Sequence, residues 1–257
     1  MCLVVFAWRP ESQQPLLLLA NRDEVHARPS AALAQWADQP SIYAGRDLEA
    51  GGTWLGIAAH GRFATLTNVR DMSLPLGEQS RGALVSDYLA GQQSPQEYLH
   101  SIAAELEQYS GFNLLLGDAQ SMWFVSSTEP RPKRLSPGIY GLCNASLDTP
   151  WPKLVRLRTM FSAHLEATDE ALFTLMHDEQ RAADDQLPDT GVGLAMERML
   201  SSIFIRGEVY GTRATSLLRR FADGRTTLAE RSYGVNGQFT GQNQVELPAF
   251  ILDKSRD

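Results

Sequence analysis

Apolar residues along this 257-residue chain recur with two different periods, and the order in which those periods occur restricts the fold more than any other feature. Cys2 to Trp8 and Leu16 to Ala20 are short apolar runs separated by a polar stretch with two prolines, the pattern of a β-hairpin. Thr53 to Ala58 and Arg62 to Asn68 repeat it around Ala59-His60-Gly61, with His60 expected at a solvated turn. Helical spacing follows in Gly82 to Ala90 and Pro95 to Tyr109, the second with Ser94 as N-cap. Phe112 to Gly117 and Met122 to Ser126 then read as buried strands, and Glu129 to Pro137 as a proline-rich connector. Helical patterns return at Lys153 to Leu165 and Asp169 to His177, before a loop from Ala183 to Gly193. Leu194 to Ile205 mixes helix and strand signals. Thr212 to Phe221 and Arg225 to Tyr233 flank Asp223-Gly224 as a hairpin, and Val245 to Leu252 forms a closing strand.

Strands, helices, strands, helices, strands: this order lacks the regular alternation of a parallel doubly wound sheet, and helices covering antiparallel sheets fit it better. The expected class is α+β, in a single domain over residues 1–257. A hydrophobic content of 43% is enough for a full core. No apolar run approaches the roughly 20 residues that cross a bilayer, and the start lacks a secretory pattern, so a cytoplasmic protein is expected. With 23 basic and 30 acidic residues the net charge is -7, which repels phosphate backbones and argues against nucleic acid as a partner. The five histidines show no metal-ligand pairing, and Gly51-Gly52 lacks the lysine and helix of a phosphate loop. Trp54 and Trp151 read as core or pocket walls.

Two cysteines are too few for a disulfide framework. Cys143 reads as a small buried hydrophobe. Cys2 differs, because removal of Met1 would place its thiol beside a free α-amine on the same residue. Such an amine has an unperturbed pKa of about 7.7 to 8.0 and can take the proton of a thiol near 8.5. One residue then supplies both nucleophile and base for acyl transfer.

The run Leu16 to Ala20 leads directly into Asn21-Arg22-Asp23-Glu24. That tetrapeptide, the Met-Cys start, Gly51-Gly52-Thr53-Trp54-Leu55-Gly56-Ile57, Leu66-Thr67-Asn68, Ser80-Arg81-Gly82, Gly111-Phe112-Asn113-Leu114 and Tyr210-Gly211-Thr212-Arg213 resemble the markers of the NRDE (Transport and Golgi organization 2) family. The resemblance implies an N-terminal-nucleophile (Ntn) hydrolase fold, a four-layer αββα sandwich with two packed antiparallel sheets, related to choloylglycine hydrolases and penicillin acylases. It also implies a site: Cys2 as nucleophile, Arg22 as the arginine ending the second strand, Asn68 and Asn144 as amide donors, and Arg213 as the late arginine. An amide aimed at the oxyanion of a tetrahedral intermediate is worth roughly 2.7 to 4 kcal/mol, and an arginine favours the thiolate or forks onto a carboxylate.

The relatives' Asp lies three residues beyond the early arginine, where this chain has Val25, so Asp23 or Glu24 takes that role. Arg22 and Asp23 are consecutive in a strand and face opposite ways unless a bulge intervenes. Taken singly, Arg22 with Asp23 or Glu24 reads first as surface ion pairs and Asn68 as a turn-former after a strand; it is the set together that points to a site. The implied function is hydrolysis of a linear amide or acyl substrate, with no cofactor required. The alternative is a non-catalytic carrier of haem, through Cys2 thiolate, or of an acyl lipid or acyl-CoA.

Overall fold

The computed structural model describes residues 2–59 and 61–249; the expectations for Met1, for His60 and for a strand reaching Leu252 lie wholly or partly outside them. Thirteen strands and five α-helices are present among those residues. One sheet contains β10 (Gly138–Leu142), β1 (Cys2–Trp8), β2 (Leu16–Val25), β11 (Tyr210–Arg220), β12 (Thr226–Tyr233) and β13 (Phe239–Leu247), in that order. The other runs β3 (Ser30–Gln35), β4 (Tyr43–Asp47), β5 (Leu55–Ala58), β6 (Arg62–Asn68), β7 (Phe112–Gly117), β8 (Met122–Ser126) and β9 (Glu129–Arg134). Every strand pair in both sheets is antiparallel.

Period-two alternation sorts each strand's side chains into two cores. In β1, Val4, Phe6 and Trp8 enter the core between the sheets, where they join Leu16, Leu18, Phe63, Leu115 and Leu218. Leu3, Val5 and Ala7 pack outward with Leu154, Leu157 and Phe161 of α3 (Pro152–Ser162) and Leu172 and Phe173 of α4 (Asp169–Leu175). On the far sheet, Ala64, Leu66, Leu114 and Leu116 meet Leu84, Val85, Tyr88 and Leu89 of α1 (Arg81–Ala90) and Leu99 of α2 (Pro95–Ser101). The result is a four-layer αββα sandwich. Each fully buried large apolar side chain contributes roughly 1.5–3 kcal/mol to it.

Several boundaries differ from the local patterns. Helix α2 stops at Ser101, and only a single 3-10 turn, Leu106–Gln108, follows in the segment expected to be helical up to Tyr109. In the mixed segment Leu194 to Ile205, only α5 (Leu194–Leu200) is helical. The stretch from Glu129 is strand β9 rather than a connector: Pro130 and Pro132 cannot donate to a ladder, but an edge strand needs only one bonded side. Strands β3, β4 and β10 had no periodic signal. β3 is an exposed edge strand with a bulge between Ala31 and Ala34, and β4 carries Gly45 beneath the ring of Trp54. Among the described residues, no helix is long and apolar enough to cross a membrane.

Candidate active site

Strand β2 does not end at Ala20 but continues to Val25, because its polar residues find partners within the layers. Asn21 donates through Nδ2 to the carbonyls of Met176 and Ile203, both at 2.9 Å, and accepts from Thr215 Oγ1 at 2.6 Å. Asp23, fully buried, accepts from Thr212 Oγ1 at 2.7 Å. These bonds offset the cost of burying polar groups. The irregularity expected near Arg22 and Asp23 falls on the neighbouring strand: Thr212 pairs with Asp23 and Ala214 with Arg22, so Arg213 is the extra residue of a bulge in β11.

Cys2 opens β1 directly opposite Arg22 in the ladder, and by alternation shares the inter-sheet face of Val4. It lines a cleft of about 520 Å³ together with Arg22, Asp23, Glu24, Asn68 and Arg81. Burial pushes its thiol above the usual range, the Asp23 carboxylate adds to this, and Arg22 opposes it. The Asp23 carboxyl is itself raised, by burial first, against the opposing charges of Lys153 and Arg22. Arg22 lies over the Trp54 ring, 4.3 Å from its centroid, donates to Ser30 Oγ at 3.0 Å and stands 3.8 Å from Asp47. Asn68 ends β6 on the cleft wall, and its side-chain amide makes no hydrogen bond to another described residue.

Two residues expected at the site stand outside this cleft. Asn144 is turned toward the backbone, donating from Nδ2 to the Asn68 carbonyl at 2.9 Å, and it lines a neighbouring cavity with Arg70 and Trp151. Arg213 lines a smaller cavity behind Arg22, and its Nη1 is held by the carbonyls of Val25, His26 and Arg28 at 3.0–3.2 Å. As the bulged residue it caps the turn that follows β2. Conversely, periodicity passed over Arg81, Lys153 and Tyr210. Arg81 lines the cleft, Lys153 is buried close enough to act on Asp23, and Tyr210 has its hydroxyl pushed well up by burial, Asp23 and Cys2. Arg81 and Tyr210 lie in the Ser80-Arg81-Gly82 and Tyr210-Gly211-Thr212-Arg213 motifs, which were the available signal. Lys153 had none beyond its place in a helix.

Two face-to-face antiparallel sheets between helical layers define an Ntn-hydrolase-like fold. A mutant of conjugated bile acid hydrolase from Clostridium perfringens superposes with a TM-score of 0.53 over 96% of this chain and 92% of that one; at 9% identity the likeness is one of fold. Residues 1–234 match the family Transport and Golgi organisation 2, and the chain belongs to it. It is 35% identical over 256 residues to the human Transport and Golgi organization protein 2 homolog, covering 90% of this chain and 93% of that protein. Identity to the Drosophila melanogaster Transport and Golgi organization protein 2 is 28% over 251 residues, or 85% of this chain and 87% of that protein.

Proposed function

We propose that this protein is a cytosolic N-terminal cysteine hydrolase of linear amide or acyl substrates, with Cys2 as nucleophile once Met1 is removed. The observation that carries the reading is the placement of Cys2 at the mouth-facing end of an inner strand, in one cleft with Arg22 and with the unengaged amide of Asn68. The thiol proton passes to the α-amine as sulfur bonds to the acyl carbon, and the carbonyl oxygen takes up negative charge. Asn68 donates to that oxygen. Collapse breaks the bond to the leaving amine, which takes the proton from the α-ammonium and leaves a thioester. Water, giving a proton to the amine, then releases the acid and restores the thiol. Because burial holds the thiol neutral, the adjacent amine is what makes attack feasible near pH 7. Asp23 holds the amine, and Asn144 and Arg213 act from behind as supports of Asn68 and of the β2 turn.

Intact mass of protein made in its own cytosol, followed by assay on simple N-acyl amides, tests this. The expected result is a chain lacking Met1 whose turnover disappears in Cys2→Ala while its circular dichroism is unchanged. Turnover that survives in Cys2→Ala, or a fully processed chain inert toward a broad amide panel, overturns it. One observation favours a second reading, a carrier of haem or of an acyl lipid or acyl-CoA: an apolar groove of about 740 Å³ adjoins the cleft. A Soret shift with haemin, or acyl-lipid retention without turnover, would support that reading instead.

A further inference from the structure

Three arginines line the cleft beside Cys2, and two of them are already neutralised. Arg28 donates from Nε to Asp47 at 2.7 Å and from Nη1 to Glu49 at 2.9 Å. Arg22 lies on Trp54, bonded to Ser30, with Asp47 at 3.8 Å. Arg81 forms no ion pair among the described residues; its one hydrogen bond is from Nη1 to the Gly111 carbonyl at 3.2 Å. Partial burial pulls its pKa down, and the Glu24 charge opposes this.

Arg81 also stands at a junction. Together with Asn68 and Ser110 it lines both the polar cleft and the apolar groove of about 740 Å³. Val69, Leu74 and Met196 line that groove, and Leu76 and Val209 at its rim are 91% and 76% exposed. Asp23, Glu24 and Glu78 also line the cleft, but none of them forms an ion pair with Arg81, so a ligand that fills both chambers passes an apolar chain along one side of a guanidinium whose fork is open and a polar group along the other. A guanidinium whose fork is largely unused selects an anion, because charge-assisted hydrogen bonds to a carboxylate, sulfonate or phosphate are the strongest it can form. A neutral headgroup leaves those donors to water, and a cationic one cannot accept from them.

We propose that Arg81 is the specificity-determining residue of this site: it binds the anionic headgroup of an amphiphile whose apolar chain occupies the groove. The assignment deepens the hydrolase reading and rests on it only where turnover is concerned.

Binding is measured on full-length Cys2→Ala protein, so that no probe is consumed, with three N-lauroyl amides of one chain: N-lauroylglycine (anionic), N-lauroylethanolamine (neutral) and N-lauroylethylenediamine (cationic). The expected order of affinity is anionic, neutral, cationic. Arg81→Gln should weaken the anionic probe by about 10-fold or more, the loss of one hydrogen bond to a charged group, and leave the neutral probe within about twofold. Arg81→Lys, which keeps the charge and loses the fork, should recover part of the difference. The neutral probe also reports whether the variants keep the groove intact. Equal affinity for the three probes, no binding of any of them, or an equal loss of all three in Arg81→Gln overturns the assignment. If the headgroup preference stands but protein with Cys2 hydrolyses none of the amides, the hydrolase reading fails and the Arg81 site survives.

Discussion

Cys2 and Cys143 are both buried thiols, at 7% and 1% exposure, yet their surroundings differ in kind. Cys143 packs with Leu154, Leu157 and Phe161 in the core under α3, whereas Cys2 lines a cleft beside Arg22. Alkylation at pH 7 followed by peptide mapping should therefore label Cys2 first in protein lacking Met1, with Cys143 labelled only on unfolding. Labelling of Cys143 ahead of Cys2 would sink the nucleophile assignment. Glu230 makes a second prediction at this scale. It is buried in β12, accepts from the Leu33 amide at 2.8 Å, and burial raises its carboxyl to about 7 in spite of that bond and of Arg22. The folded protein thus holds this proton through a window, from the ordinary 4.5 up to about 7, in which the unfolded chain has released it. Stability from this group is fully present below the lower value and declines as pH rises to the upper one. Glu230→Gln keeps an acceptor for Leu33 but cannot titrate, so urea midpoints measured between pH 4.5 and 7 should fall less steeply than in wild type. Identical slopes would contradict the raised carboxyl.

Among the elements, those with a strong local period were legible in advance: β1, β5, β6, β7, β8, α1 and the β11–β12 hairpin lie within a few residues of the expected positions. β2 was half legible, since Asn21 to Glu24 has no apolar alternation and is drawn into the sheet only by partners on β11 and beyond α4. β3 and β4 were invisible because β3 is an exposed edge and β4 is short and carries a glycine. That glycine has a purpose: a Cβ at Gly45 would lie 2.5 Å from the Trp54 ring, the same ring that stacks on Arg22. Gly45→Ala should destabilise the protein by about 1–3 kcal/mol, the usual cost of overpacking, and slow Cys2 labelling by displacing Trp54 and Arg22. Chemical denaturation and alkylation rates check both effects; a variant indistinguishable from wild type would mean that Trp54 has room to move. Glu197 of α5 makes a similar tie, pairing with Arg70 at 2.7 Å while accepting from Thr190 N and Oγ1. Its replacement by Ala should cost about 3 kcal/mol and speed amide exchange across residues 183–193.

For the whole molecule, three cores share two sheets: β1 and β2 face the inter-sheet core on one side and the α3–α4 core on the other. Neither core can dissolve without stripping a face from the other, so residues 2–249 should unfold as one domain. Circular dichroism and tryptophan fluorescence should give coincident transitions in urea, and two separated transitions would refute a single domain. The α+β class and the broad succession of strand and helix blocks were legible in the sequence alone, because alternation and helical period are local properties; the place of Cys2 next to Met1 is local too. Only the tertiary structure decided which distant side chains meet Cys2. Register between β1 and β2 sets Arg22 opposite it, a bulge in β11 diverts Arg213 to the turn carbonyls, and Asn144 is spent on the Asn68 backbone. Arg81 enters the cleft from the first turn of α1, a position that depends on how that helix lies across its sheet, and no pattern within a few residues of it encodes that packing.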